Sequence, residues 1–277
     1  MDVPAAVDPL PADAAAGPAA ARAPRARRGP YRRLPVEQRR EQLIAVALEL
    51  FSRHPPEEVS LDDVALAAGA SRPLVYRYFP GGKQQLYEAA LRTAADELSS
   101  RFTAPVDGGP AERLGHVLDQ YFGFVDEHAA GYGALLRGGS VAETERTSAI
   151  VDEVRRAAHR SILEQLLVKD PGPRLLLLVR SWIAVVETAA LTWLDDARRD
   201  SPGEASPAGE AGVGSAAELR DWLVDEFVAM FAVSALHDPQ SQRVLRSMLT
   251  GAGAETGARL VARLGSLLTG AAAGPPA

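Results

Sequence analysis

Residues 60–79 read SLDDVALAAGASRPLVYRYF, and that stretch leaves the backbone few choices. Ser60 precedes an apolar-periodic run, and Asp63 sits three positions on, where its carboxylate can reach back in a capping box. Leu61, Val64, Ala65 and Ala68 then recur at helical spacing. Gly69 stops this helix, because a residue without Cβ tolerates the left-handed turn conformation. Beyond a short turn, Ser71 is placed to cap a second helix through its hydroxyl, and Pro73 is tolerated in a first turn whose amides lack intrahelical partners. Val75 and Phe79, four apart, share a face that packs on the first helix. Arg72, Leu74, Tyr76, Arg77 and Tyr78 point elsewhere, and a helix offering arginines and tyrosines outward suits a nucleic-acid groove.

Charge supports that reading only locally. The 277 residues carry a net charge of −6, which argues against general adhesion to nucleic acid. Residues 22–40, however, hold eight arginines against Glu37 alone, a local charge of +7 immediately before the helix–turn–helix. Residues 1–29, crowded with Ala and Pro, are expected to form a disordered basic arm, either a solvated tail or an arm reaching the DNA backbone or minor groove. The start of the chain lacks a charged-then-apolar signal pattern, as expected of a cytoplasmic protein.

Several chemistries are excluded. Without cysteine there is no disulfide, thiolate metal site or cysteine nucleophile. The five histidines never come at ligand spacing, so no metal is expected. Gly81–Gly82–Lys83 lacks the strand and spacing of a phosphate-cradling loop, and no nucleophile–base pair is evident. Neither an enzyme nor a cofactor is expected.

Flanking segments read as helices throughout. Residues 36–53 carry Leu43, Ile44, Ala47, Leu48 and Phe51 on one stripe and end at Pro55 and Pro56. After the Pro80–Gly81–Gly82 break a further helix starts at Lys83 and runs to about Phe102. Amphipathic helices follow over 111–129, 131–137 and 142–168, the last with Ile150, Val154, Ala157, Ile162, Leu166 and Leu167 inward.

The run from Arg39 through Leu86, above all GASRPLVYRYFPGGKQQLYEAA, resembles the DNA-binding domain of the TetR family of transcriptional regulators. The Ala47–Leu48–Glu49–Leu50–Phe51 helix end, the Val64–Ala65 pair, the Gly–x–Ser turn, the Val–Tyr–x–Tyr–Phe helix and Lys83 all stand in register. The resemblance implies an all-α protein: a three-helix head over 30–84, then a larger effector-binding and dimerisation body over 85–237. Residues 238–277 form an extension without an assigned role.

Two stretches in that body are expected to build a dimer. Residues 175–194, LLLLVRSWIAVVETAALTWL, are apolar nearly all round, as in a helix buried on two sides or spanning a membrane. Arg180 and Glu187 near its middle would each cost about 2.5 kcal/mol or more in a bilayer, which favours the first. The stripe of Leu219, Trp222, Leu223, Phe227, Met230 and Phe231 follows a small-residue linker and is the other interface element. In the family resembled, the last two long helices of each subunit form a four-helix dimer interface.

The implied function is a sequence-specific regulator, a dimeric repressor released from a palindromic double-stranded operator by a small lipophilic ligand. The alternatives are an activator of the same family or a helical interaction or membrane-associated protein. Arg72, Pro73 and Leu74 are placed to read bases, Arg72 through a guanine; Tyr76 and Arg77 contact bases or phosphate. Ser71 joins them at the helix start, and Arg32 and Arg33 reach from the arm. By resemblance, Tyr78, Lys83 and Ser60 hold phosphates. Candidate effector contacts are the polar or aromatic residues among apolar faces: Tyr121, Phe124, Tyr132, Arg137, Arg180, Trp182, Glu187, Thr188 and Thr192. Arg137 and Arg180 suit an anionic ligand or an ion pair with Glu187 or Glu143.

Overall fold

A computed structural model describes residues 35–103, 107–137, 144–199, 212–250 and 262. The described residues contain ten α-helices: α1 Val36–Arg53, α2 Leu61–Ala67, α3 Arg72–Tyr78, α4 Gly82–Thr103, α5 Pro110–Glu127, α6 Ala129–Leu136, α7 Glu145–Gln165, α8 Pro173–Arg199, α9 Ala216–Ala235 and α10 Pro239–Leu249. Arg32, Arg33 and the expected arm over 1–29 lie outside them, as do residues 200–211 of the small-residue linker and all of 251–277 except 262.

Two apolar cores organise these helices. The first gathers Leu43, Ala47 and Phe51 of α1, Val64 of α2, Val75 of α3, Phe79, and Leu86 and Ala90 of α4. The second is built on Leu98 and Phe102 of α4, Leu118 and Val125 of α5, Val179 and Trp182 of α8, and Leu223 and Phe227 of α9. α4 therefore serves both, with its first half in the head and its second half in the body. The domain boundary expected at residue 84 falls within the first turn of this shared helix.

Helix ends follow from identifiable residues. Thr144 and Ser215 cap α7 and α9 through their hydroxyls, accepting from Thr147 N and Glu218 N. α7 stops earlier than expected. Leu167 adopts φ 54°, Leu167 N donates to Glu164 O and Val168 N to Leu163 O at 3.0 and 2.9 Å. This hydrogen-bonded reversal usually uses glycine at its left-handed position. It turns Leu167 out to 87 % exposure, so Leu167 is not inward as its spacing suggested.

α8 is longer than the apolar run at its centre, and among the described residues it is the one helix long and apolar enough to cross a membrane. Here Leu175, Val179, Trp182, Val186 and Ala190 face the core of the body instead, and Leu177 on the other side is exposed. α9 buries Leu219, Leu223, Phe227 and Phe231, but Trp222 is half exposed at 50 %. Three residues from Leu219, Trp222 falls at the edge of the stripe and joins Val185, Thr188 and Thr192 of α8 in a shallow surface groove.

α10 packs on α9 through Val244 and Met248, with Asp238 capping it by accepting from Ser241 N at 2.8 Å. Gln240 accepts from Gly172 N and donates to Asp170 O, both at 2.7 Å, clipping α10 to the α7–α8 turn. Residues 239–249 thus belong to the body's packing.

Candidate nucleic-acid interface and an internal cavity

The α2–turn–α3 unit forms by the local chemistry its sequence encodes. Ser60 Oγ accepts from Asp63 N at 3.2 Å, while the Asp63 carboxylate accepts from Ser60 N at 2.8 Å. The Ser60 hydroxyl also donates to Asp63 Oδ2 at 2.6 Å, and with the Ser60 amide it holds the Asp63 carboxyl below its ordinary value. Gly69, at φ +59°, reverses the chain, with Ala70 N donating back to Ala65 O at 2.8 Å. Ser71 starts α3 in an extended conformation, but its hydroxyl makes no cap bond, contrary to expectation. Pro73 has no amide, and Leu74 N already donates to the Ser71 carbonyl at 2.9 Å, so those amides are not available to the hydroxyl.

Val75 and Phe79 are fully buried and fix α3 against the head. Its outer face exposes Arg72, Pro73, Tyr76 and Arg77, with Leu74 and Tyr78 half-buried. The Arg72 guanidinium pairs with Asp62 of α2 at 2.8 Å and lies 5.7 Å from the Tyr76 ring centroid. This ion pair is solvent-exposed and therefore weak enough for a stronger acceptor to displace. Lys83, in the first turn of α4, donates to the Glu57 carbonyl at 3.1 Å. The basic stretch is not uniformly exposed: Arg39 is buried, and its guanidinium donates to Gln42 Oε1 at 2.6 Å.

The body encloses a cavity of about 130 Å³ between α4, α5, α6, α7 and α8. Leu98, Phe102, Leu118, Val154, Ile183 and Val186 supply much of its apolar wall. Of the expected contacts, Tyr121, Phe124, Tyr132, Trp182 and Glu187 line it. The hydroxyls of Tyr121 and Tyr132 hydrogen-bond to each other. Burial pushes both phenols above their ordinary value, so they remain protonated.

Four expected contacts lie elsewhere. Arg137 closes α6 and pairs with Asp195 of α8. Arg180 is on the exposed side of α8. Thr188 and Thr192 face the surface groove, and their hydroxyls donate to the α8 carbonyls of Ala184 and Thr188 at 2.8 and 2.9 Å. Glu187 pairs with neither Arg137 nor Arg180. Arg155 of α7 meets it in two-pronged fashion, Nε and Nη2 at 2.8 and 2.9 Å from the carboxylate oxygens. Arg155 and Ser161 are lining residues that the sequence reading missed. Both lie beside the apolar stripe of α7, and pairing between helices leaves no mark in the spacing of one.

A second, smaller space of about 70 Å³ shares Leu91, Ala94, Phe124, Tyr132 and Leu135 with the cavity and is otherwise walled by residues that include Leu48 and Phe51 of α1. At this junction α6 approaches α1 so closely that a Cβ on Gly131 would lie 2.8 Å from the Phe51 carbonyl oxygen. Nearby, Glu97, Glu127 and His128 bring possible metal-ligating atoms within 4.8 Å of one another, although their sequence spacing gives no such cue. The Arg101 guanidinium already bridges both carboxylates and occupies the place of a cation.

Residues 43–90 match the family model for bacterial regulatory proteins of the tetR family, and residues 110–230 match the Tetracyclin repressor-like C-terminal domain. A crystal structure of a tetR-family transcriptional regulator from Streptomyces coelicolor is 46% identical, with a TM-score of 0.71, over 84% of this chain and 100% of that one. The HTH-type transcriptional regulator BetI of Agrobacterium fabrum is 30% identical over 143 residues, 50% of this chain and 69% of the relative. The HTH-type transcriptional activator FasR of Mycolicibacterium smegmatis is 28% identical over 171 residues, 60% of this chain and 77% of the relative.

Proposed function

The chain belongs to the TetR family of helix–turn–helix transcriptional regulators, and from that premise we propose that it acts in the cytoplasm as a dimeric repressor, released from a roughly palindromic operator by a small apolar effector. The observation that carries the DNA reading is α3, which Val75 and Phe79 anchor while Arg72, Pro73, Tyr76 and Arg77 remain exposed. Arg72 exchanges Asp62 for the O6 and N7 acceptors of a guanine, and Pro73 and Leu74 meet bases by apolar contact. Ser60, Ser71, Tyr78 and Lys83 hold phosphates at the rim, with Arg32 and Arg33 extending that grip and Tyr76 and Arg77 bridging the two roles.

One short helix gives limited specificity, so two copies act together. Leu177, Trp222, Val233 and Leu236 are 65, 50, 63 and 79 % exposed on α8, α9 and the residue after α9, an apolar surface that a second subunit would cover. A two-fold dimer then presents recognition helices about 34–36 Å apart, one turn of DNA. An effector in the body cavity shifts that spacing only through unequal affinity for the two dimer geometries. The residues shared between the cavity and the α1 junction offer the physical connection.

Selection of bound duplexes from a randomised library tests this reading. A palindromic consensus with half-sites about 10 bp apart, bound less tightly as salt rises, is expected. Absence of any salt-dependent sequence preference would sink it. Activation is the second reading, favoured by the activator named among the relatives; in vitro transcription from the selected site separates the two by sign.

A further inference from the structure

We infer that the body cavity takes an electrically neutral, largely apolar molecule with a hydrogen-bond acceptor, such as an ester or ketone carbonyl, set against the Tyr121 and Tyr132 hydroxyls. The inference rests on the reading of this cavity as the effector site and assigns the chemistry of its occupant.

The first argument is charge. Among the described residues, Arg155 and Glu187 are the charged lining groups, and they neutralise each other through two hydrogen bonds. Arg155 also donates to Asp152 at 3.1 Å. An anionic ligand must therefore compete with two carboxylates for one guanidinium, and it meets Glu187 as a like charge. A cationic ligand meets a carboxylate already paired. Either ion enters an apolar cavity without a free counter-charge, which is unfavourable. The arginines expected to receive an anion, Arg137 and Arg180, are outside the cavity.

The second argument is hydrogen-bonding capacity. Ser161 Oγ donates to the Phe102 carbonyl at 2.9 Å, and Trp182 Nε1 donates to the Leu223 carbonyl at 3.1 Å, so both donors are spent. The two tyrosines are different. Their hydroxyls carry two protons and share a single hydrogen bond, and neither has another protein partner among the described residues. One buried O–H is left over. A donor without an acceptor in an apolar cavity is costly, and a ligand carbonyl satisfies it.

Titration calorimetry on the full chain with decanoate, methyl decanoate and decylammonium tests the assignment, because the three share an apolar body and differ in the charge of the head. Methyl decanoate is expected to bind at least about tenfold more tightly than either ion, given the desolvation each charge requires. In the Tyr121→Phe/Tyr132→Phe double variant, which keeps both rings, ester affinity should fall about three- to tenfold, the range of one neutral hydrogen bond. An ion binding as tightly as the ester overturns the inference, and this arm needs no variant to fold. Unchanged ester affinity in a folded double variant also overturns it. No saturable binding of any of the three would remove the cavity as effector site altogether, whereas the head-group outcomes leave that site standing. The DNA reading is measured separately.

Discussion

In the head, Leu43, Ala47, Val64, Val75, Phe79 and Leu86 are at most 1 % exposed and fill the space among α1, α2, α3 and α4. In the body, longer helices with equally apolar faces leave about 130 Å³ unfilled and keep two tyrosines and an ion pair around the void. On the function proposed above, the difference separates two tasks. Presenting a short helix to a groove demands one fixed geometry, which close packing imposes. Responding to a ligand demands a place where packing is incomplete, so that an occupant can favour one arrangement over another.

The comparison can be broken first by removing volume. Phe79→Ala should destabilise the head by about 3–5 kcal/mol in chemical denaturation, since the ring is fully buried. Adding volume is the sharper test. Ala47→Leu in the head should cost about 1–3 kcal/mol, whereas Ala158→Leu, pointing at the cavity, should be neutral or stabilising by about 1 kcal/mol. Equal losses at both positions would erase the contrast between a filled core and a hollow one.

The junction between the regions gives the next effect. Gly131→Ala must push α6 off the Phe51 carbonyl. The strain, about 1–3 kcal/mol, is partly offset by the better helix propensity of alanine, about 1 kcal/mol. A net loss of about 1 kcal/mol in thermal melts is expected.

Two capping serines provide a smaller comparison. Ser60→Ala should cost about 1 kcal/mol, because its hydroxyl receives the Asp63 amide, whereas Ser71→Ala should stay within about 0.5 kcal/mol. The Asp63 carboxyl has a lowered folded-state value, so its contribution is complete above its ordinary value of 3.8. It disappears as the pH falls through the lower folded value. A melting series across acid pH should show that loss in wild type and not in Asp63→Asn. Leu167→Gly relieves a left-handed residue and should gain about 0.5–1 kcal/mol in the same melts.

The helices were legible because apolar spacing and end signals agree. The 36–53 helix, the Ser60 capping box and the Gly69 turn needed no tertiary information. What escaped the sequence lies between helices. Arg155 finds Glu187 across 32 residues, and no periodicity within α8 distinguishes that partner from Arg180. Thr188 and Thr192 are polar residues on an apolar helix, but rotation of α8 turns them outward. Ser71 has the composition of a cap, yet the proline two residues later removes one amide and the backbone takes another. Leu167 continues an apolar series after its helix has ended. At the candidate DNA face, outward residues could be read directly, because burial of Val75 and Phe79 dictates which side remains.

One consequence follows from α4 belonging to both cores. Its 22 residues make a rod roughly 33 Å long, with Leu86 embedded in one core and Leu98 and Phe102 in the other. Rotating such a rod by about 5° about one end displaces the other by roughly 3 Å. In a symmetric pair the displacements are mirrored, so the gap between the two tips can change by roughly twice that amount. In the proposed dimer the α3 helices that precede those tips would have to match a groove period of about 34–36 Å. In the proposed dimer this rod would act as a lever: a rearrangement no larger than a side-chain rotamer at the Phe102 end would be magnified into a mismatch measured in base-pair steps.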